Sequence, residues 1–314
     1  MILFAVPHVH YFDIFYFIAI FGMVAIAVLS GWLCKKKGPE FTHRFVLVLV
    51  WVNFAIHFLK QFTPFYIDRW PYSLATSGVP NLCAFFVLFG PLMYLSKNKY
   101  FRDYFFYIGI LSGVLVFLWP TTAVEVTYPD GTPVDGVAYV LECIRFYLCH
   151  LLILVPPICM VAGGLHKLEF RRLWSIPLCF GFVLFVIAVH CVICGPVLRL
   201  PEYTSEWFGP SGLFGRGSVY PGSNESMQFG PQAKFDKTIL GSLYPFWFPY
   251  LLSYNIDGVT YFVPVLWMIP ALYLGTYIIG PIMLFLADPK GTRIGWLTYK
   301  QKRKMRRNAR KNKC

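Results

Sequence analysis

The sequence predicts an all-α protein: a polytopic membrane helical bundle of seven transmembrane helices, with its N-terminus outside and its C-terminus cytoplasmic. Three observations carry this. Of 314 residues, 57% are hydrophobic, 19% aromatic and only 14% charged, a balance foreign to soluble domains. Seven apolar runs are each about long enough to cross a bilayer core of roughly 30 Å at 1.5 Å per residue. The loops between them alternate between basic and nearly charge-free.

The runs fall at 12–34, 45–65, 73–96, 104–120, 138–162, 173–197 and 262–286. Lys35, Lys36, Lys37 and Arg44 follow the first, Lys97, Lys99 and Arg102 the third, and Lys167, Arg171 and Arg172 the fifth. A basic tail from Lys290 to Lys313 follows the seventh. Residues 1–11 and 121–137 hold no Lys or Arg, and the loop after the second run holds only Arg69. Basic loops resist translocation, so the basic side is cytoplasmic. Residues 1–11 lack the basic start of a cleavable leader, and the first run is too long for one, so none is expected.

The chain divides into a six-helix transmembrane core (1–197), an extracytoplasmic insertion rich in Gly, Pro and aromatics (198–261), the seventh helix (262–286) and a basic cytoplasmic tail (287–314). The aromatic stretch Leu240–Leu252 is expected to lie in the interface or cap the bundle, because Trp and Tyr favour headgroup level. Most of the net charge of +13 sits in the tail, which points to anionic headgroups of membrane phospholipids as partners rather than nucleic acid. The expected location is a multi-pass protein of the cell (plasma) membrane.

Nine cysteines are present, none with metal-ligand spacing, and no glycine loop is suited to cradling phosphates. Neither a metal nor another cofactor is expected. Cys191 and Cys194 form a CxxC inside the sixth run, where two small apolar side chains on one face explain it best. Asn224-Glu-Ser matches a glycosylation sequon, a tripeptide common by chance.

Polar groups inside the runs carry the functional signal, because an ionisable group in hydrocarbon is costly unless it faces the bundle interior. Asn53 and His57 lie one turn apart on the second run. Glu142, Arg145 and His150 lie on the fifth, and His190 on the sixth. Counted from the outer ends, Cys83 and His150 lie about 15 and 18 Å deep. These groups are expected to meet in one polar chamber, with Asn81, Asn53, His57, Arg145, Glu142 and His190 as substrate-binding candidates. Cys83 with His150 is the sharpest pair, since a thiol made thiolate by an adjacent imidazole is a nucleophile with its base. Gly78 and Pro80 favour a helix start just before Cys83, and Asn81 is placed to aim its amide at an oxyanion. Pro156 and Pro157 predict a kink below His150. The plainer reading makes Cys83 a small core residue and His150 a helix-bridging group, with Glu142 and Arg145 neutralising each other.

Asn81-Leu-Cys83-Ala-Phe-Phe, followed by Leu88-Phe-Gly-Pro-Leu, resembles the HLC-type helix of bacterial YwaF-like integral membrane proteins, relatives of the animal transmembrane protein 164 acyltransferases. Glu142-Cys-Ile-Arg-Phe-Tyr-Leu-Cys-His150-Leu-Leu-Ile-Leu-Val-Pro-Pro157 looks like that family's helix in which a His precedes aliphatics and a Pro. Gly113-Val-Leu-Val-Phe-Leu-Trp-Pro120 resembles its fourth span. The resemblance implies transfer of a fatty acyl chain between phospholipid and lysophospholipid through a Cys thioester, with Cys83 as nucleophile and His150 as base. Asn81 stands where the bacterial pattern has a His, and the 198–261 insertion is longer than the family suggests. Two other classes compete: a small-molecule transporter, and a non-catalytic scaffold or binding protein.

Overall fold

The computed structural model describes residues 8–70, 72–118, 126, 132–201, 203–215, 224–231 and 252–289, with 291, 300, 301, 305 and 308 in the tail. It is a mostly helical bundle. Its helices are α1 (Ile14–Lys37), α2 (Pro39–Leu59), the single turn α3 (Pro64–Ile67), α4 (Leu82–Leu95), α5 (Lys99–Leu118), α6 (Gly136–Ala162), α7 (Ser175–Val192) and α8 (Ile269–Ala287). Among the described residues, five segments are long and apolar enough to cross a membrane: Ile14–Lys37, Pro39–Phe62, Gly136–Ala162, Ser175–Val197 and Leu266–Ala287. The end at which α4 and α6 begin and α2 finishes is called the upper end below.

Local chemistry sets the helix boundaries. The Asp13 carboxylate caps α1 by accepting from Tyr16 N at 2.7 Å. The expected loop from Lys35 to Arg44 shrinks to Gly38, because its φ of +86° ends α1 and Pro39 starts α2 at once. The basic residues are therefore helical. α6 runs unbroken through Pro156 and Pro157. Beyond α7 the chain tightens into a π-turn, Ile193–Val197, which contains Pro196.

The third run departs most from expectation. A 3-10 turn, Tyr72–Ser77, gives way to irregular backbone through Gly78 and Pro80 before α4 begins. At 14 residues, α4 is about 21 Å long, short of a roughly 30 Å core. Irregular backbone at that depth is stable only where protein covers it. Here it is covered: Ser226 Oγ accepts from Leu82 N at 3.1 Å, and Asn81 donates to Glu225 at 2.5 Å.

The all-α expectation is corrected by an antiparallel hairpin, β1 (Ser253–Ile256) and β2 (Val259–Phe262), in register Ser253 to Phe262 and Ile256 to Val259. Asp257 and Gly258 form its two-residue turn with φ of +51° and +79°, the primed geometry that Asp-Gly favours. The hairpin occupies the chain to Phe262, so the last helix starts at Ile269 rather than 262. The Leu240–Leu251 cap, Trp119, Pro120 and most of the basic tail lie outside the described residues.

The core is packed from α1, α2, α4, α5, α6 and α7. A Cβ on Gly109 of α5 would lie 2.7 Å from the Phe86 ring and 3.1 Å from Pro157, so only glycine lets α4, α5 and α6 meet there. At the lower end, buried Asp103 holds Arg172 in an ion pair and His166 at 2.7 Å. This locks the start of α5 to the loop after α6.

Candidate functional site

The site lies at the upper end, around the start of α4. Asn81 is the N-cap: its Oδ1 accepts from Ala84 N at 2.9 Å while its amide donates to Glu225. Both ends of Asn81 are thus engaged by protein. Of the first three amides of α4, Leu82 N–H goes to Ser226 and Ala84 N–H to Asn81, while the Cys83 N–H meets no acceptor among the described residues. Cys83 therefore sits in the first turn beside an open donor, where the helix dipole favours negative charge.

The direction of Cys83 follows from its stripe. Residues three, four, seven and eight further along are Phe86, Val87, Gly90 and Pro91. These line a narrow packing gap, too tight to admit a water molecule, with Val50 and Asn53 of α2 and Leu152 of α6. Cys83 is partly buried and packs against the bundle core, one turn before Phe86. Asn53 spans the gap: its amide donates to the Cys149 carbonyl at 3.2 Å, while Oδ1 is buried with no partner among the described residues.

His150 lies on α6, two residues before Leu152 and on a different face of that helix. Its Nδ1 bonds the Phe146 carbonyl at 2.7 Å, and its ring leans on Phe146 with centroids 4.4 Å apart. A carbonyl only accepts, so the proton of the neutral ring sits on Nδ1 and Nε2 carries the lone pair. Nε2 has no partner among the described residues. No hydrogen bond joins Cys83 to His150, because the ring is held towards its own helix.

Glu142 and Arg145 form a two-pronged ion pair one turn apart, with Arg145 Nε to Glu142 Oε2 at 2.7 Å. His57 bonds the Ser77 carbonyl at 3.1 Å. Sequence reasoning missed Lys60, which is 7% exposed and donates to the Thr76 carbonyl at 2.7 Å. It also missed Tyr66, whose hydroxyl lies 3.5 Å from Glu142 Oε1 and whose burial holds the phenol well above its ordinary pKa, hence neutral. Lys60 passes in the sequence for the polar end of a helix.

His190 belongs to a second group. Its Nε2 lies 3.6 Å from Cys194 Sγ and 3.4 Å from the Tyr203 hydroxyl. Gln228 donates to Cys191 Sγ at 3.3 Å. The expected single chamber is thus two neighbouring clusters on either side of residues 76–83. His57 bonds Ser77 on one side, and His190 packs on Gly78 at the other. The sequon asparagine is buried, with its amide on the Gly230 carbonyl and its oxygen accepting from Phe229 N. It serves as a turn brace, closed to a glycan in the folded chain.

Apolar helices of spanning length around a buried polar centre define an integral, multi-pass membrane protein. The family model described as "TMEM164 family" matches residues 1–198, and the chain belongs to that family. The match stops where the 198–261 insertion begins. Comparison with curated proteins and with solved structures found no match.

Proposed function

We propose that this protein is a membrane acyltransferase that moves a fatty acyl chain between phospholipid and lysophospholipid through a thioester on Cys83. In this reading seven helices span the cell membrane, with the N-terminus outside and the basic tail on cytoplasmic anionic headgroups. His150 Nε2 takes the Cys83 proton as the sulfur attacks a lipid ester carbonyl. The oxyanion forms beside the free Cys83 N–H at the start of α4. Its collapse releases the lysolipid alkoxide, which recovers the proton from His150. A second lysolipid hydroxyl then attacks the thioester, with His150 as base again, and returns the thiol.

Two observations support the reading: among the described residues the His150 ring keeps its base nitrogen unpaired, and the Cys83 thiol sits in the first turn of α4 beside an open N–H. Pairs of this kind often tighten only when substrate fills the site. The test is mass spectrometry of the purified chain after incubation with phosphatidylcholine. A thioester adduct is expected on Cys83 and absent in Cys83→Ala. An adduct on Cys194 would move the chemistry to α7, and acyl exchange at full rate in Cys83→Ala would end the proposal.

A further inference from the structure

The upper ends of α2 and α6 hold more buried positive than negative charge. Lys60 Nζ stands 5.4 Å from the centroid of the Tyr66 ring, and Arg145 Cζ stands 5.6 Å from the same centroid. Two cations thus share one aromatic ring. The carboxylate among them is Glu142, whose side chain is 1% exposed and already bound twice by Arg145. Lys60 has a backbone carbonyl and a ring but no carboxylate among the described residues. Glu225 is near enough for its charge to be felt at Lys60, yet it is bonded to Asn81 and pairs with neither cation. His57, one turn away, is occupied by the Ser77 carbonyl. Burying an ammonium without a counter-ion costs several kcal/mol. Among the described residues the cluster is one negative charge short.

We propose that Lys60 and Arg145 form a seat for the phosphate group of a membrane lipid. Arg145 offers a planar fork that suits phosphate, and Lys60 offers a compact point charge with donors to spare. The Arg145 side chain is 17% exposed, so the seat is reachable. Around it, Leu59, Phe62, Ile67, Trp70 and Leu74 are exposed apolar side chains, the rim that acyl chains and the interface would cover. Depth agrees as well. Arg145 lies four residues before Cys149 and five before His150, so the seat is about 6–8 Å nearer the membrane surface than the imidazole. The glycerol backbone likewise sets the ester carbonyl of a phospholipid deeper than its phosphate. A lipid held here presents its ester at the depth of Cys83 and His150. This inference rests on the acyl-transfer reading for why an ester belongs at that depth, whereas phosphate binding itself does not require it.

Binding is measured on the full chain carrying Cys83→Ala, which keeps the seat and removes the chemistry. The probes are lysophosphatidylcholine, the monoacylglycerol of the same chain, and inorganic phosphate, each added to protein in a neutral detergent. Lysophosphatidylcholine is expected to bind at least tenfold more tightly than the monoacylglycerol. Lys60→Met, which keeps the apolar stem, is expected to weaken lysophosphatidylcholine about tenfold and leave the monoacylglycerol unchanged. Glu142→Gln should tighten the phospholipid, a direction that structural damage would not give. Equal binding of the two lipids, or no effect of Lys60→Met, overturns the proposal. Inorganic phosphate that binds as tightly as the lysophospholipid overturns its lipid assignment. Because the probe protein lacks the thiol, lysophospholipid binding to it together with no thioester on the wild-type chain refutes the enzyme alone.

Discussion

Two thiol–imidazole pairs lie within the upper half of this bundle, and they differ in an instructive way. Cys194 and His190 touch because they are four residues apart along the end of α7. Their contact comes from local geometry, and His190 is further occupied by Tyr203 and the Ala75 carbonyl. Cys83 and His150 come from different helices and share no hydrogen bond, yet among the described residues each keeps an unused group: an N–H on one, a lone pair on the other. Satisfied polar groups hold a fold together. Polar groups left unsatisfied cost stability, and reactions need them.

That comparison can be broken outright. Cys83→Ala is expected to reduce acyl exchange below detection and His150→Ala to reduce it about 10²–10⁴-fold, while Cys194→Ala leaves the rate unchanged in the same lipid-exchange assay. Equal losses at both thiols would erase the distinction. A second expectation concerns the charge that supports the interior pair. Glu142→Gln leaves Arg145 and Lys60 uncompensated and should cost about 3–5 kcal/mol in denaturant unfolding, because a buried ion loses its partner. Added phospholipid should recover part of it.

A smaller effect separates the pairs from the other side. A Cβ at Gly78 would lie 2.4 Å from His190 Cε1, so Gly78→Ala must push the ring aside, at about 1–3 kcal/mol. Acyl exchange should persist, since His190 is not asked to act. Smallest of all, Ser226→Ala removes the acceptor for Leu82 N–H and should lower stability by about 1 kcal/mol. Thermal unfolding in detergent, read by circular dichroism, checks both.

Helix placement was legible because long apolar runs leave the backbone no other way to satisfy itself in lipid. The family was legible too, from short motifs around Cys83 and His150. Asn81 was expected near the oxyanion, but what it does locally is cap α4, a role its residue type signals as well. The hairpin was also signalled, by Asp257-Gly258, but it was hidden inside a segment read only for its aromatics. Lys60 was invisible for another reason. Its burial depends on Tyr66 and on the carbonyl of Thr76, and no periodicity encodes a carbonyl's direction. Likewise, the closure of α4 by Glu225 and Ser226 joins residues 144 positions apart, beyond any local pattern.

That long-range closure has a consequence for biosynthesis. The helix start bearing Cys83 leaves the ribosome early, but the residues that finish it emerge only after α5, α6 and α7 have been made. Its closing strap is itself anchored by Trp267, whose indole donates to the Met227 carbonyl at 2.9 Å just ahead of the final helix. Until that helix is threaded, the nascent chain carries an unsealed helix end at membrane depth. Synthesis cut short after residue 198 would release the whole family-matched portion with the start of α4 still unroofed.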